Sequence, residues 1–170
     1  MQTTARRIIR VGAQASKTVK ITQKDVVMFG NLIQDYNPIH SDTAAARAAG
    51  FPSPVCHGML AGSLFSGLMA TEIPGPNTVY LSQSLRFTTP IFVGDELEVI
   101  AKVTQFRRSK GLIEMLTIIQ KADTKNSGKK ITCVEGYSIG MNKTVEFEGE
   151  SAWTCGLERC VVDAGKGTPT

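Results

Sequence analysis

The chain has 170 residues, 42% of them hydrophobic and 20% charged, with a net charge of +4. That suits one domain able to bury its own core. No apolar run is long enough to span a bilayer, so membrane insertion is not expected.

The basic surplus sits at the front, where Arg6, Arg7, Arg10, Lys17, Lys20 and Lys24 precede the first acid, Asp25. Such an acid-free start reads either as a mitochondrial targeting peptide or as a frayed basic terminus, and residues 1–15 are set apart on that ground. Nucleic acid is not expected as a partner, because no basic stripe with interleaved aromatics continues into the body. Cys56, Cys133, Cys155 and Cys160 lack a CxxC spacing, so no metal site is expected from them. Without a secretory signal, reduced thiols in an intracellular compartment fit, mitochondrial or otherwise cytoplasmic.

Ser16 to Ile21 predicts a first strand. Thr22 then serves as N-cap and Asp25 as its reciprocal partner at the third helical position, opening a helix. Val26, Phe29, Gly30 and Ile33 follow at helical spacing and are expected to face the core. Asn37-Pro38 stops that helix, and Ser41 or Asp42 caps a short one from Thr43 to Ala49, closed by Gly50. Gly58 to Thr71 is the most apolar segment, with Leu60, Leu64 and Leu68 in one stripe flanked by Phe65 and Met69. Gly58, Gly62 and Ser66 make a second, thin stripe. Glycines inside a helix cost about 1 kcal/mol each against alanine, so a strand or a ligand must approach that face.

Pro74-Gly-Pro76 ends the helix and strands follow. Val79, Leu81, Leu85 and Phe87 alternate with Tyr80, Ser82, Ser84 and Arg86. A strand from Glu96 to Phe106 turns Leu97, Val99, Ala101 and Val103 inward, and Arg107 to Gly111 makes a hairpin turn. Residues 112–122 and 129–139 continue the pattern. The last of these is expected at a sheet margin, where a homodimer would cover its unpaired backbone groups. Beyond Asn142 the periodicity fades, and 143–170 reads as a loosely ordered tail, with Trp153 as a residue able to dock it onto the body. One long apolar helix followed by an antiparallel meander implies an α+β fold, a sheet curled around a central helix, known as the hot-dog arrangement. The domain so defined is 16–142.

Both histidines of the chain, His40 and His57, lie in 35–69, the stretch that the rest serves. Asp35 and His40 flank the Asn37-Pro38 turn, which can bring a carboxylate and an imidazole to one spot, the minimal equipment for moving protons near neutral pH. His57 precedes the long helix and is expected to hold that turn in support of the pair. Tyr36 and Met59 are expected to form wall. Cys56 is expected to behave as a small hydrophobe.

Asp35-Tyr-Asn-Pro-Ile-His40, followed by His57-Gly-Met59 at the start of the central helix, resembles the MaoC-like family of (R)-specific enoyl-thioester hydratases and 3-hydroxyacyl-thioester dehydratases. The similarity continues through Leu64-Phe-Ser66-Gly67, Pro74-Gly-Pro76, Leu81-Ser-Gln83, Phe87 and Phe92-Val-Gly94. Within that family, the Arg-rich start and Glu135-Gly136 lean toward mitochondrial 3-hydroxyacyl-acyl-carrier-protein dehydratases. The resemblance implies Asp35 and His40 as the catalytic pair and Asn37 and Pro38 as the turn that holds them. It also implies the Gly58 N–H as the group that binds the thioester oxygen, and Ser66 as a serine lying in the active site. It further implies an acyl thioester substrate, carried on CoA or on acyl carrier protein, with no cofactor, and a homodimer.

Two other readings stand beside this one. A hot-dog thioesterase would hydrolyse the same thioester but has no need of the Asp35-to-His40 motif. A non-catalytic acyl-binding hot-dog subunit would be expected to lose one of the pair, and this chain keeps both.

Overall fold

The computed structural model describes residues 7–123 and 128–154. The chain opens with β1 (Ile8–Ile9), β2 (Gln14–Lys20) and α1 (Gln23–Ile33). A 3₁₀ turn (Pro38–His40), α2 (Thr43–Ala48) and α3 (Gly58–Thr71) follow. Then come β3 (Val79–Gln83), β4 (Arg86–Phe87), β5 (Glu96–Arg107), β6 (Leu112–Ala122), β7 (Lys130–Met141) and β8 (Glu146–Phe147).

Local chemistry explains the helix bounds. Thr22 Oγ1 accepts the Asp25 N–H while the Asp25 carboxylate accepts the Thr22 N–H at 2.8 Å, so two orphan donors at the head of α1 are satisfied reciprocally. Asp42 caps α2 through Oδ1, which accepts the Ala45 N–H at 2.7 Å. The third helix, α3, has the bounds expected. Its Leu60, Ala61, Phe65, Leu68 and Met69 are buried, and Leu64 packs against the core from a half-buried position.

The main sheet runs β2-β5-β6-β7-β3, with β4 also on β7, and every pairing is antiparallel. Leu97, Val99, Ala101 and Val103 of β5 and Ile113, Met115 and Ile119 of β6 meet α3 in one core. The sheet thus cradles the central helix, which is the hot-dog arrangement.

Four findings differ from the sequence reading. Strand β7 is not marginal: it is hydrogen-bonded to β6 on one side and to β3 and β4 on the other. The margin on that side is β3–β4, where the register shifts between Tyr80 and Ser82. The irregularity breaks the alternation, so Tyr80 and Leu85 pack on the core while Val79, Leu81 and Phe87 are about half exposed. Ile33, in the last turn of α1, is exposed rather than core-facing.

The remaining difference is in the two ends of the chain. Ile8 and Ile9 pair in parallel with Glu146 and Phe147. Ile9 is buried, and the rings of Phe106 and Phe147 meet at 4.8 Å. Gln105 brackets Thr154, donating to its carbonyl at 2.9 Å and accepting its N–H at 2.8 Å. Ser151 Oγ accepts the Phe106 N–H at 2.8 Å. Residues 143–154 therefore lie on the body, whereas Cys155, Cys160 and the rest of the expected tail fall outside the described residues, as do residues 1–6.

Candidate active site

The Asp35-to-His40 motif folds as two overlapping side-chain turns. Gln34 ends α1 in the left-handed conformation, φ 58°, and the Asp35 N–H still donates to Gly30 O at 3.1 Å. Asp35 Oδ1 then accepts the Asn37 N–H at 3.1 Å, and Asn37 Oδ1 accepts the Ile39 N–H at 3.4 Å. Pro38 occupies the first position of the 3₁₀ turn, where a missing N–H costs nothing. Asn37 is therefore a hinge pin rather than a reacting group.

The turn delivers His40 onto the extended segment before α3. Val55 donates its N–H to Ile39 O at 3.0 Å, and Val55 O lies 2.7 Å from His40 Nδ1. A carbonyl can only accept, so in the neutral ring Nδ1 carries the proton and Nε2 has the bare lone pair. That lone pair faces Asp35: Nε2 to Oδ2 is 3.7 Å. The Asp35 side chain is 42% exposed and His40 13%, so the pair is held from behind and open in front.

His57 joins them. Its Nε2 lies 3.9 Å from Asp35 Oδ2 and 3.3 Å from Asp35 O. Its ring stacks on that of His40 with centroids 3.8 Å apart and planes 29° apart. By type, Asp35, His40 and His57 could ligate a metal, with ligand atoms within 4.8 Å of one another. Imidazole lone pairs lie in the ring plane, and two near-parallel rings cannot both aim at one ion about 2 Å away. The geometry suits proton transfer rather than chelation.

A cavity of about 180 Å³ opens in front of the pair, lined by Val26, Gly30, Asp35, Asn37, His40 and His57. Across His57 lies a second, of about 360 Å³, lined by Phe51, Cys56, Gly58, Phe87, Pro90 and Val134. His57 is their common wall. Gly58 follows it directly, so the first free N–H groups of α3 begin one residue from the stacked rings. A side chain at Gly58 would meet the Phe87 ring at 3.0 Å. Larger clefts at the β5–β6 turn, such as one of about 610 Å³ lined by Arg108, Lys110 and Lys143, hold no histidine.

Two expected residues do not join this group. Ser66 is exposed, two turns along α3 and about 12 Å from Gly58 by helical rise. Met59 is also exposed, and neither lines the two cavities. Gly62 is closed off by Leu85, whose Cδ1 would stand 2.8 Å from an added Cβ, so the thin stripe is met there by the chain itself.

Sequence reading missed three contributors. The Val55 carbonyl sets the His40 tautomer and carries no side-chain signal. Phe87 reads from the sequence as a strand-face residue within the family resemblance, with no role of its own at the site. Gly30 was read as a core position, yet an added Cβ there would lie 3.1 Å from Asp35 O and 3.2 Å from His57 Cε1. A glycine inside a helix was the available clue.

Burial pushes the Cys56 thiol up to about 12, with the Asp95 carboxylate adding to the effect. The raised value favours the thiol over the thiolate nucleophile, which suits the role of a small hydrophobe.

A curled sheet with a carboxylate–imidazole pair at the head of its central helix defines a hot-dog protein equipped for acid–base chemistry. Residues 7–126 match the family described as MaoC like domain, and the chain belongs to that family. The (R)-specific enoyl-CoA hydratase of Aeromonas caviae is 40% identical over 111 residues, covering 65% of this chain and 83% of that protein. The mitochondrial 3-hydroxyacyl-[acyl-carrier-protein] dehydratase of Arabidopsis thaliana is 33% identical over 106 residues, 62% of this chain and 63% of that protein. Among solved structures, the (R)-hydratase from A. caviae involved in PHA biosynthesis matches with a TM-score of 0.71 at 36% identity, covering 78% of this chain and 96% of that one. R-Hydratase PhaJ1 from Pseudomonas aeruginosa gives 0.69 at 34% identity, covering 86% and 88%.

Proposed function

We propose that the chain is a hydro-lyase that interconverts (3R)-3-hydroxyacyl thioesters with trans-2-enoyl thioesters and water. Its relatives are (R)-specific enoyl-CoA hydratases and 3-hydroxyacyl-acyl-carrier-protein dehydratases, which supports a thioester carried on CoA or on carrier protein. The observation that carries the reading is the Asp35–His40 pair with its ring tautomer set from behind by Val55 O.

In the dehydration direction, bare His40 Nε2 takes the proton from the α-carbon. Asp35, entering as the carboxylic acid, gives its proton to the departing β-hydroxyl, so the α C–H and β C–O bonds break, a C=C bond forms and water leaves; the His40 imidazolium then returns its proton to the Asp35 carboxylate, which resets the pair. With Nε2 and Oδ2 3.7 Å apart, the α-hydrogen and the β-oxygen, carried on adjacent carbons, can meet the two groups at the same time. As enolate character grows, the Gly58 N–H at the positive end of α3 holds the thioester oxygen. Donors so placed are typically worth about 3–4 kcal/mol in the transition state. The thioester itself acidifies the α-carbon, so the scheme needs no cofactor.

Loss of enoyl absorbance on adding crotonyl-CoA, with chiral analysis of the product, tests this directly. A (3R)-alcohol with no free thiol released is expected. Thiol release without hydration would make the protein a thioesterase instead.

Two finer parts belong to the same proposal. A homodimer is supported by the place of β3 and β4 at the margin of the sheet among the described residues, with Val79, Leu81 and Phe87 about half exposed. A light-scattering mass of 18.3 kDa, that of one chain, would contradict it. A mitochondrial address is supported by the basic start and by the mitochondrial plant relatives. Because Arg7 donates to Thr71 O at 2.9 Å and Ile9 is buried, the test removes only residues 1–6. Unchanged localisation of that truncation would refute a signal within those residues.

A further inference from the structure

We infer that His57 is a positioning residue of the acid–base pair: an imidazole that carries its proton on Nε2, seats the His40 ring on its face and ties itself to Asp35. The inference deepens the hydro-lyase reading and rests on it for the kinetic consequence. The placement of the ring proton can be tested without it.

The ring is boxed in. His57 is 4% exposed, with His40 against one face at 3.8 Å and Phe29 tilted against it at 5.6 Å. Gly30 of α1 closes on the ring edge so tightly that a Cβ there would stand 3.2 Å from Cε1. A ring so enclosed has one orientation, and the ring stacked on it inherits that orientation.

The proton on that ring has one place to go. Nε2 lies 3.3 Å from Asp35 O, which can only accept. Nδ1 is buried and has no hydrogen-bond partner among the described residues. Protonating Nδ1 would strand a donor in the interior and leave two acceptors, Nε2 and Asp35 O, facing each other. Nε2–H is therefore the form the site selects. His40, held by Val55 O, has the opposite tautomer. Asp35 Oδ2 thus sees one bare nitrogen, on His40, and one N–H, on His57, at 3.7 and 3.9 Å.

The unmatched Nδ1 shows that packing alone is not the reason for histidine here. A leucine or phenylalanine would fill buried space without an orphaned polar atom. Histidine supplies a flat face for His40 together with an N–H toward the Asp35 carbonyl, which neither of those residues has. His57 touches neither reacting carbon in the scheme above. It acts through the two residues that do.

Because the chain has only two histidines, the test is unusually clean. Histidine-selective ¹⁵N labelling and long-range ¹H–¹⁵N correlation, recorded above the ordinary imidazole titration range, report which nitrogen of each neutral ring is protonated. His40→Ala assigns the two sets of signals. The expected result is one Nδ1–H ring, His40, and one Nε2–H ring, His57. An Nδ1–H His57 would overturn the inference, whereas two Nε2–H rings would overturn the tautomer assigned to His40 through Val55 O.

Kinetics supply the second arm. His57→Leu should lower kcat at least tenfold with KM changed less than twofold, and should shift and broaden the His40 ring signals while the Nδ1–H tautomer set by Val55 O persists. His57→Gln, which keeps an N–H at similar reach, should recover part of that loss. Gly30→Ala, which pushes on the same ring from behind, should lower kcat in the same sense. An active His57→Leu with full kcat refutes the positioning role. A wild-type protein without hydratase turnover refutes the functional reading instead, and leaves the tautomer result standing on its own.

Discussion

Gly62→Leu separates two reasons a helix can carry a thin stripe. Gly62 is buried on α3, and an added Cβ would stand 2.8 Å from Leu85 Cδ1, whose side chain packs on the core. Leu85 is flexible at its end and could swing away from one methyl group, but not from a four-carbon side chain. Overpacking of this kind costs about 3 kcal/mol at the upper end of its usual range, and removing a helical glycine returns about 1, leaving about 2 kcal/mol. At roughly 2–4 °C per kcal/mol for a chain of this size, Tm should fall by about 4–8 °C. Ser66→Leu, one turn further on and exposed, should move Tm by no more than about 2 °C. Thermal unfolding followed by far-UV circular dichroism measures both. If Gly62→Leu is inactive with an unchanged Tm, Leu85 does not occupy that space and the stripe is a substrate channel.

Thr22→Ala removes the hydroxyl half of the capping box, leaving the Asp25 carboxylate to accept the backbone N–H of residue 22, and should lower Tm by about 2–4 °C at neutral pH. The Thr22 hydroxyl, bonded to the carboxylate, holds Asp25 below its ordinary value of 3.8. A lowered carboxylate contributes stability above that value and loses it as pH falls through the folded one, so the difference between variant and wild type should shrink in acid. A constant difference down to the acid transition would refute this. Burial also raises the Cys133 thiol, as it does that of Cys56. With Cys155 and Cys160 replaced by serine, iodoacetamide at mildly alkaline pH should label neither thiol until the protein unfolds. Rapid labelling of the native protein would contradict their burial.

Much of this architecture was legible because its signals are local. The apolar run 58–71 is bracketed by prolines, the Thr22–Asp25 box marks a helix start, and β5 alternates without interruption until Val103. What was not legible depends on pairing at a distance. Periodicity says that 130–141 is a strand, but nothing in it says which strands lie alongside. The shift at Tyr80–Ser82 is invisible in composition and turns Val79 and Leu81 outward. The β1–β8 contact involves two residues on each side, too few for a pattern. Gln105 and Glu114 look solvent-facing from their polarity, yet both are buried; the Thr154 backbone bonds to Gln105, and Thr104 Oγ1 donates to Glu114 at 2.7 Å.

The site divides the same way. Asp35 and His40 stand out because a turn motif joins a carboxylate to one of only two histidines. The stacking of His57 on His40 and the close approach of Gly30 arise from three separate segments, and no spacing within one of them encodes their meeting.

The central claim is that Asp35 and His40 divide two proton transfers between them. Steady-state hydration of crotonyl-CoA by Asp35→Asn and His40→Ala tests it most directly, with circular dichroism confirming that each variant is folded. General acid–base groups contribute typically about 10²–10⁴-fold, so each substitution should lower kcat by at least about a hundredfold. A folded variant that keeps more than about a tenth of wild-type kcat would remove that residue from the mechanism.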